Sequence, residues 1–142
     1  MLKVIVDTNI FVAGYLSKTK DGYPAMILEL WRTGCFTLVM SPQMLEELIA
    51  KLIEKKIPTS HLEDLVTTLA TIALYIPGAY QTCRLDDINV SDNKFLAAAY
   101  ESSADYIVSY DTKSLLPLKH FYGTQILRPE LFVRQFINRA KQ

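Results

Sequence analysis

Two short apolar runs each end near an aspartate. Val4-Ile5-Val6 leads into Asp7, and Tyr106-Ile107-Val108-Ser109-Tyr110 leads into Asp111. Such runs read as buried parallel strands, and open α/β sheets place their ligand sites outside the carboxyl ends of strands. Two further carboxylates can reach the same edge. Asp92 stands at the first position of a predicted helix, where the dipole and free N–H groups favour an anion. Glu47 lies in the helix after the second strand, with Glu46 beside it as the competing candidate. Hard oxygen donors with no Cys or His among them suit Mg2+ or Mn2+, which take one or two carboxylates and keep several waters. Such a site activates a water and stabilises the charge on a phosphate during in-line displacement.

Each carboxylate also has a plain structural reading. Asp7 can cap the following helix, Asp92 can stabilise a helix start, and Glu47 can be solvated. The chemical reading gains because all four can converge on one sheet edge. Asp86 and Asp87 fall in a polar loop and read as solvated, though a second metal could recruit one of them. His61 and His120 read as isolated surface residues.

The elements that must position these groups alternate between strand and helix. This pattern predicts a three-layer α/β/α sandwich around a mostly parallel, twisted sheet. Thr8 can cap a helix to about Leu16, and Pro24 suits the first turn of a second helix that Gly34 stops. Residues 36–40 read as the second strand. Ser41-Pro42 then opens a helix with apolar residues at Met44, Leu45, Leu48, Ile49, Leu52 and Ile53, a helical period. Ser60 to Glu63 reads as a capping box for a helix to about Ala73. Leu74-Tyr75-Ile76 is a short strand, Arg84 to Val90 a polar loop, and Ser91 the cap of a helix to about Glu101. A strand ending at Asp111, a helical turn around Ser114 to Leu116, a strand at 124–127 and a helix from Pro129 complete the chain.

With 142 residues, half of them hydrophobic, the chain has the length and composition of one domain with one core, spanning 1–142. No apolar run approaches the ~18 residues that span a bilayer, and Lys3 and Asp7 interrupt any signal-peptide core. A cytoplasmic protein is expected. Cys35 and Cys83 have no CxxC spacing and no cluster of His around them, and read as buried free thiols. Lys plus Arg equal Asp plus Glu at 15 each, so no global basic field announces a nucleic-acid partner. Local positives must hold one: Lys18 and Lys20 in the first loop, and Arg84, Lys94 and Lys113 near the later acidic positions.

The segments Val4-Ile5-Val6-Asp7-Thr8-Asn9, Leu45-Glu46-Glu47-Leu48, Ser91 to Ala99 and Ala104 to Asp111 resemble the successive motifs of PIN domains, in the right order over nearly the whole chain. Leu115-Leu116 and the Pro-Glu-Leu-Phe element at 129–132 are similar to bacterial and archaeal PIN proteins of toxin–antitoxin systems. The resemblance implies a metal-dependent ribonuclease acting on RNA, with Asp7, Glu47, Asp92 and Asp111 as the acidic cluster. Thr8, Asn9 and Asn93 would be supporting residues, with Asn9 ordering its loop or a water. It also implies a homodimer, which the apolar stripes near 24–32 and 42–56 favour, and a small antitoxin protein as partner. Two departures stand out. Tyr110 is bulkier than the family's usual small residue there and would narrow the cleft or stack on a base. The loop from Arg84 to Ser91 is longer than usual.

Other classes fit less well. A haloacid-dehalogenase-type phosphatase needs a second Asp two residues after the first, where this chain has Asn9. A receiver domain needs an early acidic pair that is missing. The remaining rival is a catalytically inactive PIN-like module that binds protein or RNA. Stabilisation by Mg2+ or Mn2+ discriminates the two.

Overall fold

The computed structural model describes residues 1–17 and 21–140. Lys18 and Lys20, expected at the RNA, lie outside the described residues. The first strand, β1 (Lys3–Val6), has Val4 and Ile5 fully buried, as a strand covered on both faces requires. It pairs in parallel with β2 (Thr37–Met40) on one side and β4 (Tyr106–Val108) on the other. Outward from β2 lies β3 (Ala73–Tyr75), and outward from β4 lies β6 (Thr124–Leu127), both parallel. The two-residue β5 (His120–Phe121) closes the edge antiparallel to β6, giving the order β3-β2-β1-β4-β6-β5.

From β1 the chain moves outward to β2 and β3 through α1 (Thr8–Leu16), α2 (Tyr23–Arg32), α3 (Pro42–Glu54) and α4 (Thr59–Ile72). It then returns past β1 to β4 through α5 (Asn93–Ser102). Because such crossovers are right-handed, the two directions put their helices on opposite faces. The contacts agree. Helix α2 packs on α1 and on α6 (Pro129–Ala140), whereas α5 lies against β1, β2 and β4. The expected three-layer arrangement around a mostly parallel sheet is therefore present. Connections leave β1 toward β2 and leave β4 toward β6, so the order reverses between β1 and β4. That reversal opens a crevice outside their carboxyl ends.

The apolar stripes bury what their spacing predicts. Ile27, Leu28 and Trp31 of α2 and Met44, Leu48 and Leu52 of α3 join the core, with Ile53 left exposed. Ser41 caps α3 by accepting from the Met44 N–H at 3.2 Å. Gly34 ends α2 with φ +80°, a conformation that favours glycine. Several local expectations are corrected. Helix α4 starts at Thr59 with Pro58 before it and no side-chain cap, so Ser60 to Glu63 is not a capping box. Helix α1 has Asp7, not Thr8, at its N-cap position. Strand β4 stops at Val108, three residues short of Asp111. The helical turn near Ser114 lies later, at 116–118. Cys35 and Cys83 are free but exposed, not buried; neither sits on an inward-facing position of a strand or helix.

The long segment between β3 and α5 is tied down by side chains. The Glu101 carboxylate accepts from the backbone N–H groups of Gly78, Ala79 and Tyr80 at 3.2, 2.6 and 3.4 Å. Gln43 donates to the Gly78 carbonyl at 3.0 Å. No helix among the described residues is long and apolar enough to cross a membrane.

Candidate active site

Outside the ends of β1 and β4 lies a cleft of about 460 Å³, and Asp7, Glu47, Asp92 and Asp111 all line it. Each carboxylate comes from a different element. Asp7 follows β1, Glu47 projects from the second turn of α3, Asp92 immediately precedes α5, and Asp111 follows β4. Glu46 is exposed, one position round the helix, whereas Glu47 is half-buried and lines the cleft. Asp92 is placed one residue earlier than the sequence suggests. It ends a short 3₁₀ turn, Val90–Asp92, and α5 begins at Asn93. Ser91 is therefore not the cap of this helix.

Hydroxyl groups hold the carboxylates in place. The buried Ser109 donates to Asp7 Oδ2 at 2.7 Å and accepts from the Asp111 N–H at 2.9 Å. It thus fixes the two strand-end aspartates to each other. Asp111 Oδ1 accepts from the backbone N–H groups of Lys113 and Ser114 at 2.9 and 3.1 Å. The buried Ser114 hydroxyl lies 2.6 Å from Asp92 Oδ2 and also hydrogen-bonds Asp111 Oδ2. Thr8, buried at the start of α1, donates to Glu47 Oε2 at 2.8 Å.

These surroundings set the charges. Burial pushes the Asp7 carboxyl up, and the negative charges of Glu47 and Asp111 add to this. The Ser109 hydroxyl and the Asn9 backbone N–H pull it the other way. Asp92 is pushed up to about 7, first by burial and then by its hydrogen bond with Asp111. Asp111 goes the opposite way. Burial opposes its ionisation, but bonds from Asp92, Ser114 and two backbone N–H groups bring it down to about 2. Of the two carboxyls joined by Ser114, Asp92 is therefore the one that more readily holds a proton and Asp111 the one that stays ionised.

The remaining candidates scatter. Asn9 is exposed and lines the cleft. Asn93 turns away from it. Its carbonyl oxygen accepts from the Leu85 N–H at 2.8 Å and its amide donates to Asp86 at 2.7 Å. Asn93 thus anchors the long loop, and Asp86, read as merely solvated, is its partner. Lys94 pairs with Glu47 Oε1 at 3.4 Å and donates to the Ser91 hydroxyl at 2.8 Å. Arg84 and Lys113 are exposed, and neither lines the cleft. Lys51 does line it, half-buried, and sequence reasoning did not select it. Ser109 and Ser114 were also missed. Their signal was position alone: an inward-facing strand end and a turn that bonds back to Asp111. Among the described residues, no three His, Cys, Asp or Glu side chains are grouped so as to hold a metal ion as they stand.

No curated protein is significantly similar to the chain in sequence. In fold it is similar to a chain in the crystal structure of VapBC2 from Rickettsia felis bound to a DNA fragment from their promoter. The TM-score is 0.61 at 17% identity, covering 89% of this chain and 98% of that one. That likeness supports the fold alone. The sequence profile of the PIN domain matches residues 3–113, a span that holds all four cleft carboxylates. The chain belongs to the PIN domain family.

Proposed function

We propose that the chain is a divalent-metal-dependent endoribonuclease that hydrolyses phosphodiester bonds of single-stranded RNA, using Mg2+ or Mn2+. PIN domains are generally nucleases, which supports the reaction class. The observation that carries the reading is the convergence of Asp7, Glu47, Asp92 and Asp111 on one cleft at the sheet's switch point. The reading takes the 142 residues as one nuclease domain working in the cytoplasm.

The donors fit a hard cation. All are carboxylate oxygens, Asp92 and Asp111 already meet through Ser114, and burial leaves Asp7 and Asp92 short of positive charge. One or two direct carboxylates suffice for such an ion, so a preformed group of three is not required. Asp7, Glu47, Asp92 and Asp111, which line the cleft together, would hold it. When bound, the cation supplies positive charge against the phosphate and a water of lowered pKa. Ser109 keeps Asp7 and the Asp111 turn in register. Thr8 and Lys94 engage the two oxygens of Glu47 and fix its place in the lining of the cleft.

The test compares single-stranded RNA, duplex RNA and single-stranded DNA with Mg2+, with Mn2+ and with chelator. Cleavage of single-stranded RNA is expected with either metal and none with chelator. Degradation that persists in chelator removes the metal dependence, and preference for DNA removes the substrate. Of the candidate cations named from the sequence, Arg84 and Lys113 are described and make no carboxylate ion pair. Reversing both charges is expected to weaken RNA binding and to lower the salt slope by roughly 0.7 per lost phosphate contact. An unchanged slope takes both residues out of the RNA path.

The resemblance of Leu115-Leu116 and residues 129–132 to PIN proteins of toxin–antitoxin systems adds a small antitoxin protein as partner to the proposal. Co-purification with the product of an adjacent reading frame tests that. A homodimer completes the proposal, and a monomer mass by light scattering at micromolar and higher concentration would remove it.

A further inference from the structure

We propose that Tyr110 is a nucleobase-stacking residue that receives one unstacked base beside the acidic cleft, and so selects single strands. This rests on the reading of the cleft as a nuclease site. Past the end of β4 the side chains alternate. Ser109 turns inward, fully buried against Asp7, while Tyr110 turns outward, 37% exposed, and lines the cleft next to Asp111. The ring therefore stands one residue from each of two groups that shape the acidic site.

Of the tyrosines that make no ring pair or hydrogen bond among the described residues, Tyr23, Tyr75 and Tyr110, only Tyr110 lines the acidic cleft. Tyr15 packs near His61 and bonds Arg32, Tyr80 packs on Tyr100 and Tyr100 on Tyr122, and Tyr106 packs on Phe132 and bonds Gln135. Among the described residues Tyr110 makes no ring pair and no hydrogen bond. A half-exposed aromatic with two rotatable angles is a low-entropy platform for a base, whatever its identity. On the far side of the same turn lies a shallow groove of about 370 Å³, lined by Thr112, Leu116, Pro117, Leu127 and Arg128. Its floor is apolar and its one cation is Arg128; the charges of both Glu130 and Arg128 act on Tyr110. Arg128 is paired with Glu130 at 3.3 Å, but the guanidinium is half exposed. Exposed pairs of this kind are worth little and exchange readily for a phosphate. An acidic cleft, an open ring and a guanidinium along one turn match the repeat of a single strand: phosphate, base, phosphate. In a duplex the bases stay stacked on each other and cannot reach the ring.

The test uses the full chain in chelator at low salt and a short single-stranded oligoribonucleotide carrying 2-aminopurine. That base loses fluorescence when stacked. Wild type and Tyr110→Phe are expected to quench it and to bind with Kd values within about twofold. Tyr110→Ala should lose the quench and bind about tenfold more weakly. Against an oligonucleotide with an abasic residue at that position, wild type should fall to the level of Tyr110→Ala, which should fall no further. Equal affinity of Tyr110→Ala and wild type overturns the proposal and leaves the ring to a protein-facing role. Equal losses for intact and abasic strands overturn it too. Cleavage of the same strand with Mn2+ is scored separately, so a failed nuclease reading and a failed stacking site give different results.

Discussion

Asp7→Asn is expected to lower RNA cleavage by about 10²–10³-fold, on the order of 3–4 kcal/mol of transition-state stabilisation. Asp7 follows the central strand, is 6% exposed, and faces the cleft from the point where the strand order reverses. The hydroxyl beside it, Ser109, is fully buried and committed to Asp7 and the Asp111 N–H, so the proposed reaction depends on water and on charge supplied at the carboxylates. An amide there keeps the size and can still accept from Ser109, but it cannot ionise. The fold is expected to survive the change. The native carboxyl is raised by burial, which means its ionised form costs stability that Asn does not. The assay is cleavage of single-stranded RNA with Mn2+ by both proteins at matched purity, alongside a thermal melt. Equal degradation by the two would reject the ribonuclease reading, because the activity would then come from elsewhere.

Asp7 and Asp111 were legible because the strands before them announce themselves. An apolar β-branched run followed by an acid leaves little choice about where the acid goes once the sheet is parallel. Glu47 was legible only as one of two neighbours. Sequence places Glu46 and Glu47 about 100° apart on a helix but does not fix which direction faces the crevice; packing of Met44, Leu48 and Leu52 into the core does. What sequence could not reach was the hydroxyl framework. Serines at 109 and 114 look like ordinary turn residues, and only the folded distance from Ser114 to Asp92, across 22 residues, makes them part of the site. Lys94 illustrates the converse. Its position beside Asp92 suggested a substrate contact, yet in the fold its ammonium meets Glu47 on another helix. Asn93 likewise belongs to the long loop through Leu85 and Asp86.

Boundaries failed where local rules were outweighed. The hairpin strand β5 has two residues, too few for any periodicity to register. The capping box at Ser60 was sound chemistry in the wrong register, because Pro58 starts the helix two residues earlier. Asp92 sits one position before its helix because Asn89 intervenes. Its side chain accepts from the Ser91 N–H at 3.2 Å and starts a tighter turn first. That shift places Asp92 against Ser114 and Asp111, not at the solvent-facing first turn.

In the metal-free protein, Asp92→Asn is expected to stabilise the fold at neutral pH and remove much of its pH dependence between 4 and 7. The folded carboxyl titrates at about 7 against an ordinary 3.8, so the native state holds a proton that the unfolded chain has lost. Such a group stabilises fully below pH 3.8, and its contribution drains away as pH rises through 7. The loss is on the order of 2–4 kcal/mol. Asp7, also raised, adds to the same slope. Asp111 acts in a separate window. Held at about 2, it stabilises above pH 3.8 and loses that contribution only as pH falls toward 2. The contribution of these three carboxyls to the metal-free fold should therefore be largest near pH 4. Asn suits position 92 because one Ser114 hydroxyl has one proton for two carboxylates. If that proton goes to Asp111, position 92 must donate, as a protonated Asp does and as an amide can. Manganese should reverse the ranking. It binds the deprotonated carboxylates of the native state alone, adding about 2.7 kcal/mol at a hundred times Kd, more at pH 8 than at pH 5. The mutant should gain much less. The measurement is thermal melting of both proteins from pH 4 to 8, in chelator and in Mn2+. A mutant less stable than wild type in chelator at pH 7, with an undiminished manganese shift, would make Asp92 a helix-start residue with no part in the site.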